Sequence, residues 1–439
     1  MAMRIFMVWV VVSSLVYSLG VAQDIAAIVG NAKATGVLNV YHWWTAGGEK
    51  EAIEAALEIF RARYPRVQVL SNAIPGGAGG AMVMKVKILM VTGNAPETFQ
   101  AHPGFEIQPY TDANLLLPLD GLWAYGNIAE RLIPGIAELC RVNGTYYAVP
   151  IGIHKCNVIW YNKRLFDECG VQPPGEPVTW EEFWALCEEL ARKLPPGKYV
   201  LDLGDRQGWT ATHAFEALMM GVSPHIYENF INGVATEEEI AKVLDVYKKF
   251  LRYVAPDHTA RLWYETAGEV YAGNIAMYLM GDWMKAYFAS RGWKYGRDYG
   301  AFSVPGTSDK FGVCIDTFVV PRGSANRENG LRWAYLCADP ELQLLFTQRK
   351  GSISPYRDFP VDLYDELTLG FYRQLMSPET LVYPSFAHGT ALPWEVLMDL
   401  HSRITDFTTS ADPDVHRFAR LIAQSLKEAG VQPRWDIVR

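Results

Sequence analysis

Apolar positions along the chain recur with two periods. Residues 37–42 (Val37-Leu38-Asn39-Val40-Tyr41-His42) read as a short strand, and Ile53, Ala56, Leu57 and Phe60 fall at helical spacing within 49–64. Pro65 closes that helix, and Val67-Gln68-Val69-Leu70 supplies the next strand. Gly76-Gly77-Ala78-Gly79-Gly80 then leads into a Met- and Val-rich helix over 81–91, and 96–102 reads as a third strand. This βαβαβ order predicts a sheet sandwiched by helices. Leu115-Leu116-Leu117-Pro118-Leu119 starts a new segment, 144–150 crosses over as a strand, and 158–162 opens a second α/β body. Thr179 followed by Glu182 is a capping box, which predicts a helix over 180–194.

The front of the chain departs from this alternation. Arg4 precedes an almost wholly apolar run over 5–21, and Gly20-Val21-Ala22 offers a small-residue cleavage site before Gln23. The run is shorter than an ideal membrane span, so a cleaved export signal over 1–22 is expected. An uncleaved N-terminal anchor stays open as the alternative. No cysteine precedes Cys140, so the cleavage point carries no acylation site. Residues 23–35 read as a small, Ala-rich leader. The rest of the chain is too long for one core and suits two or more domains.

Composition changes this picture little: 50% hydrophobic and 20% charged is ordinary for a globular chain. The formal net charge of -8 argues against nucleic acid as a partner. Fourteen tryptophans and 23 tyrosines are a surplus that sugar-handling proteins often carry, although tryptophan also serves as core. The six cysteines (Cys140, Cys156, Cys169, Cys187, Cys314, Cys337) contain no CxxC, and no cysteine–histidine spacing has the look of a zinc site. No metal or cofactor is expected. An exported location permits disulfides, but the spacing selects no pairing. The glycine-rich loop is not followed by GKS or GKT, and GxSxG and HExxH motifs are absent.

The most informative stretch is His42-Trp43-Trp44-Thr45-Ala46-Gly47-Gly48-Glu49. A strand runs into paired indoles, a glycine turn and a helix expected to start at Glu49. The carboxyl edge of an α/β sheet is where such folds bind ligands. Indoles offer flat apolar faces with a polar N–H edge, and a sugar has matching C–H faces and a hydroxyl rim. Adjacent strand residues point to opposite faces, so one of the two tryptophans is expected in the core.

In this order the pieces resemble the family 1 extracellular solute-binding proteins of ABC transporters. Val40-Tyr41-His42-Trp43-Trp44, Leu117-Pro118-Leu119-Asp120 and Gly144-Thr145-Tyr146-Tyr147-Ala148-Val149-Pro150 carry the likeness. So do Trp160-Tyr161-Asn162-Lys163, Pro173-Pro174 with Thr179-Trp180, and Ala276-Met277-Tyr278-Leu279-Met280-Gly281-Asp282-Trp283. Asp316-Thr317-Phe318-Val319-Val320-Pro321 and Lys350-Gly351-Ser352-Ile353 complete it. Within the family, the Trp pair, the Lys350 segment and His388 in Ser385-Phe386-Ala387-His388-Gly389 look like the glucose/galactose-binding branch. The chain departs from that branch in its lengthened glycine loop. It also has Lys155-Cys156 after His154, where the branch more often has an arginine.

The resemblance implies a two-lobe, periplasmic-binding-protein-like α/β fold of the maltose-binding-protein (type II) kind, with a hinge and an interlobe cleft. One lobe would comprise 36–149 plus 304–352, the other 150–303 plus 353–439. A monosaccharide, glucose first, would bind in the cleft and be delivered by a monomeric, exported receptor to a membrane permease. Expected ligand contacts are Trp43, Trp44, Glu49, Gln100, His102, Trp209, Trp263, Asp282, Lys350 and His388, with His154 a weaker candidate between the lobes. Each has a structural alternative: Glu49 as a helix-dipole partner, Asp282 as an N-cap, Gln100 as a solvated loop residue, Trp209 and Trp263 as core. The rival is an exported glycoside hydrolase using Glu49 and Asp282. It needs two carboxylates roughly 5–5.5 or 6.5–9.5 Å apart across the scissile bond.

Overall fold

The computed structural model describes residues 24–76 and 80–431. The export segment at 1–22, and with it the choice between cleavage and anchoring, lies outside the described residues, as do Gly77, Ala78 and Gly79. Among the described residues no helix is long and apolar enough to cross a membrane.

Three strands open the fold: β1 (Gly36–His42), β2 (Val67–Ala73) and β3 (Thr98–Ala101). β1 lies between the other two and runs parallel to both. Helix Gly47–Arg63 joins β1 to β2, and helix Gly80–Val91 joins β2 back to β3. The chain thus steps outward from β1 and then returns past it. With right-handed crossovers, the two helices fall on opposite faces of the sheet. Ile53, Leu57 and Phe60 from one helix, and Met82, Val83 and Val86 from the other, are buried in the same core. Where the step reverses, the loops after β1 and β3 part at the carboxyl edge and leave a crevice. The first helix begins at Gly47, not at Glu49, because the left-handed angle of Gly47 (φ 54°) lets the chain turn at once.

A small hairpin of β4 (Arg141–Val142) and β5 (Thr145–Tyr146) precedes the long strand β6 (Ala148–Lys155). A second sheet then forms from β7 (Val158–Asn162), β8 (Tyr199–Asp202), β9 (Ile275–Leu279) and β10 (Tyr299–Ser303), in the order β10-β7-β9-β8. The capping box at Thr179 and Glu182 forms and starts helix Trp180–Lys193. The chain returns to the first sheet through β11 (Lys310–Val319) and adds β12 (Leu381–Pro384).

β11 ties the two halves together. On one edge it pairs antiparallel with β6 from Val313 to Val319. On the other, its first residues, Lys310 to Val313, pair with β12, and its last, Thr317 to Val319, pair with β3. Two long strands thus pass side by side from one lobe to the other. A third passage comes after Lys350, where Ile153 and Ile353 exchange both backbone hydrogen bonds. The register of β6 against β11 shifts between Asp316 and Thr317, at the level where the lobes meet. Such a bulge re-aims a side chain. One apolar core gathers the first sheet and its helices. Another gathers helices Trp180–Lys193 and Trp209–Val222 with the C-terminal helices.

The lobes touch closely at one glycine. A Cβ on Gly48 would lie 2.6 Å from the Cβ of Ala286, in helix Trp283–Ala289 of the second lobe, and 2.4 Å from the Arg349 carbonyl oxygen. Gly48→Ala is therefore expected to force the lobes apart at a cost of about 1–3 kcal/mol. Chemical denaturation should show the loss and small-angle scattering a larger radius of gyration. Wild-type values for both would mean that this contact does not hold the closed arrangement.

Candidate functional site

The crevice at the sheet edge is one wall of a narrow cavity of about 30 Å³ between the lobes. Trp43, Trp44, Glu49, His102 and Lys350 line it from the first lobe, and Trp209, Trp263, Trp283 and His388 from the second. His154 from β6 and Cys314 and Asp316 from β11 form its floor. All are nearly shut off from solvent, the most exposed being Trp43 at 9%.

Local structure explains each placement. β1 ends at His42, so Trp43 and Trp44 lie beyond the strand and escape its alternation. Both therefore reach the cavity, and Trp44, at 1% exposure, also serves the first lobe's core, as expected for one of the two. Trp43 packs on His102 at 4.9 Å between ring centroids, and Trp44 on Phe346 at 5.2 Å. Trp209, Trp263 and Trp283 are each the first residue of a helix, so three indoles project from three helix starts. Gly281 makes room for one of them: a Cβ there would lie 2.2 Å from the Trp283 ring.

A continuous chain of buried charges crosses the cavity floor. Lys350 Nζ donates to Glu49 Oε1 at 2.7 Å and sits 3.8 Å from Asp316 Oδ2. The His154 ring lies between two carboxylates, with Nε2 3.1 Å from Asp316 Oδ2 and Nδ1 2.5 Å from Asp282 Oδ1. Asp282 Oδ2 also accepts from the Lys155 backbone N–H. The order Glu49–Lys350–Asp316–His154–Asp282 alternates in sign and runs from the first lobe, over the hinge strands, into the second. Burial alone would discharge these groups. Lys350 and His154 override it and hold Asp316 well below the ordinary carboxylate range. Burial likewise works against the Lys350 ammonium, but Glu49 and Asp316 raise it. Burial, then Lys350, oppose charge on His154, and Asp282 and Asp316 outweigh them. Glu49 is raised by burial, with Lys350 pulling the other way.

The remaining histidines divide. Burial disfavours a charged His102, yet Cys314 and Glu106, whose Oε2 lies 2.7 Å from Nδ1, raise it well above its ordinary value. Burial, then His213, hold His388 well below its own, and burial takes His213 down to about 3. Two further polar atoms of the lining, Trp44 Nε1 and His388 Nε2, are buried without a hydrogen-bond partner. Buried polar groups are normally paired, so these two are available to a ligand.

Eight of the ten residues expected from the sequence meet at this cavity: Trp43, Trp44, Glu49, His102, Trp209, Trp263, Lys350 and His388. Two stand behind it. Gln100 is fully buried, donating to Asp316 Oδ1 at 2.9 Å and accepting from the Trp43 backbone N–H at 3.2 Å. It is neither a solvated loop residue nor part of the lining. Asp282 precedes a helix without capping it, because both its oxygens are taken by His154 and Lys155. Three lining residues, Trp283, Asp316 and Cys314, are not among those expected from the sequence. Trp283 adjoins the candidate Asp282, while Asp316 and Cys314 sit in a strand that reads as core. The hydrolase pair does not form: Asp282 is absent from the lining and Glu49 is neutralised by Lys350.

A polar, indole-lined cavity between two α/β lobes, crossed by hinge strands, defines a two-lobe solute receptor. The chain belongs to the bacterial extracellular solute-binding protein family, whose model matches residues 43–343. It is 39% identical over 394 residues to an ABC transporter extracellular-binding protein of Pyrococcus horikoshii, covering 89% of this chain and 87% of the relative. It is 27% identical over 389 residues to a probable sugar-binding periplasmic protein of Brucella melitensis biotype 1, covering 86% and 89%. Among solved structures, the bacterial solute receptor AcbH, with an exclusive preference for β-D-galactopyranose, matches with a TM-score of 0.75 at 16% identity. That match covers 90% of this chain and 99% of the receptor. By its family the protein is an extracellular solute receptor of the ABC-transporter kind, a binding protein rather than an enzyme.

Removing one member of the charge chain strands its neighbours. Lys350→Met is expected to destabilise the protein by about 3–5 kcal/mol, because Glu49 and Asp316 lose their shared cation. Adding Glu49→Gln should recover part of that loss. A urea-denaturation double-mutant cycle measures the coupling, and simple additivity would show that the two groups do not interact.

Proposed function

We propose that this receptor captures a single monosaccharide, glucose before other hexoses, as a monomer. Lobes 36–149 plus 304–352 and 150–303 plus 353–439 would shut on it and deliver it to the permease. The observation that carries this reading is a narrow cavity between the lobes, about 30 Å³, walled by five indoles and lined by Glu49, Asp316, Lys350 and three histidines. That is room for little more than a water, so the lobes as they stand are clamped tighter than they would be around a bound hexose, and a compact ligand demands the least parting of them. The galactopyranose preference of the structurally similar receptor agrees with a single pyranose as ligand.

The lining suits a pyranose. Indole faces from both lobes would cover its C–H faces. Glu49 and Asp316 would accept hydroxyl protons, and charge-assisted bonds of that kind are the strong ones. Lys350, His102, Trp44 Nε1 and His388 would meet hydroxyl oxygens. Gln100, His154 and Asp282 would act one step back, fixing the direction of Asp316. Because contacts come from both lobes, the sugar binds the closed state better than the open one, and that difference drives closure. Rejection of epimers follows from buried polar groups that a misplaced hydroxyl leaves unpaired.

Titration calorimetry of the full chain against glucose, galactose, mannose and maltotriose tests this reading. One hexose should bind with unit stoichiometry, and maltotriose should bind at least about tenfold more weakly, a difference of about 1.4 kcal/mol. Trp263→Ala should weaken hexose binding by a similar factor while leaving the unfolding midpoint within a few degrees. Preference for maltotriose would replace the monosaccharide reading with an oligosaccharide one.

A further inference from the structure

One cluster at the edge of the cavity has donor atoms that sugar binding alone does not account for. Cys156 comes directly after β6, Cys314 lies in β11, and His388 comes after β12. Their donor atoms lie within 4.8 Å of one another, and all three residues are buried. Cys156 Sγ is 3.9 Å from His388 Nδ1. The three come from distant points in the chain, brought together by the strands that cross between the lobes. A second observation concerns nitrogen: His388 Nε2 and both ring nitrogens of His213 are buried without a hydrogen-bond partner. The two rings stand 5.3 Å apart. Imidazole nitrogens closed off from water and left unpaired are costly to bury and free to bind a cation.

A second grouping, His213, Glu216 and His388, is equally tight. Its carboxylate is already occupied. Glu216 accepts from Tyr227 Oη, Ser385 Oγ and the backbone N–H groups of Phe386 and Ala387. The two thiols make only the weak hydrogen bonds of sulfur. In the cysteine grouping His388 Nδ1 is held by Ser385 Oγ at 2.7 Å, which fixes the ring, while both thiols and His388 Nε2 remain to spare.

We propose that Cys156, Cys314 and His388 form a three-ligand site for a zinc(II) ion, with its fourth position facing the sugar cavity. Two sulfurs and an imidazole are a donor set that favours tetrahedral zinc. Binding displaces one proton from each thiol to solvent and changes no oxidation state. A dication, two thiolates and a neutral imidazole sum to zero charge, which suits a buried location. Cys314 and His388 line the cavity while Cys156 lies behind them, so a water or a sugar hydroxyl takes the open position.

The test uses the reduced, chelator-treated full chain and cobalt(II) as a spectroscopic stand-in for zinc. A thiolate-to-cobalt charge-transfer band should rise to saturation at one equivalent and vanish when zinc is added. Cys156→Ser and Cys314→Ser should each abolish it, and His388→Gln should weaken cobalt binding on the order of tenfold or more. Cys169→Ser, away from the cluster, should keep it. Zinc should also protect two thiols of the wild-type chain from a thiol reagent, a readout independent of whether the variants fold. No band in the wild type, a band that survives both serine substitutions, or no thiol protection would overturn the proposal. Calorimetry of the metal-free chain with sugar is scored separately, so a failed sugar assignment cannot be mistaken for a failed metal site.

Discussion

The alternating chain of charge from Glu49 through Lys350, Asp316 and His154 to Asp282 is the interaction on which the closed structure depends. Each ion is buried deeply enough that water cannot stabilise it, so each relies on its neighbours. The chain begins in the helix after β1, passes over both hinge strands and ends at the turn before helix Trp283–Ala289. Such networks add little net stability over an apolar equivalent. Their value here lies in position, because Asp316 becomes a fixed, charged acceptor and Glu49 is held beside it by Lys350.

The backbone makes this arrangement possible at a few points. Reversal of strand order around β1 opens the crevice that admits Trp43 and Trp44. The register shift between Asp316 and Thr317 falls where β11 changes partner from β12 to β3. Gln100 and His154 then hold the two oxygens of Asp316 from opposite sides of the site. Gly48 and Gly281 let helices and an indole approach where any side chain would collide. Function therefore rests on close packing at the interface as much as on the residues that face the cavity.

The first sheet and its helices are legible in the sequence because periodicity, Pro65 and the glycine turns all agree there. The capping box at Thr179 is legible for the same reason. Trp43, Glu49, Lys350 and His388 can be found because each stands out chemically from its surroundings. Asp316 cannot, since its strand is buried along its whole length and a lone acid there has no local signature. Its role depends on Lys350 and His154, which only the fold brings near. Gln100 and Asp282 are as unusual as their positions suggest but sit one layer behind the lining. The Cys156–Cys314–His388 cluster is invisible for a related reason: spacing rules describe ligands on one local motif, and these three lie on separate strands and loops.

The central claim is that a compact sugar held between the lobes stabilises the closed arrangement seen here. Small-angle scattering of the full chain with and without saturating hexose tests it most directly. The account predicts that the sugar reduces the radius of gyration toward the value calculated for this closed structure, with the unliganded protein measurably larger. Identical scattering in the two states, from a chain shown by calorimetry to bind the sugar, would contradict it.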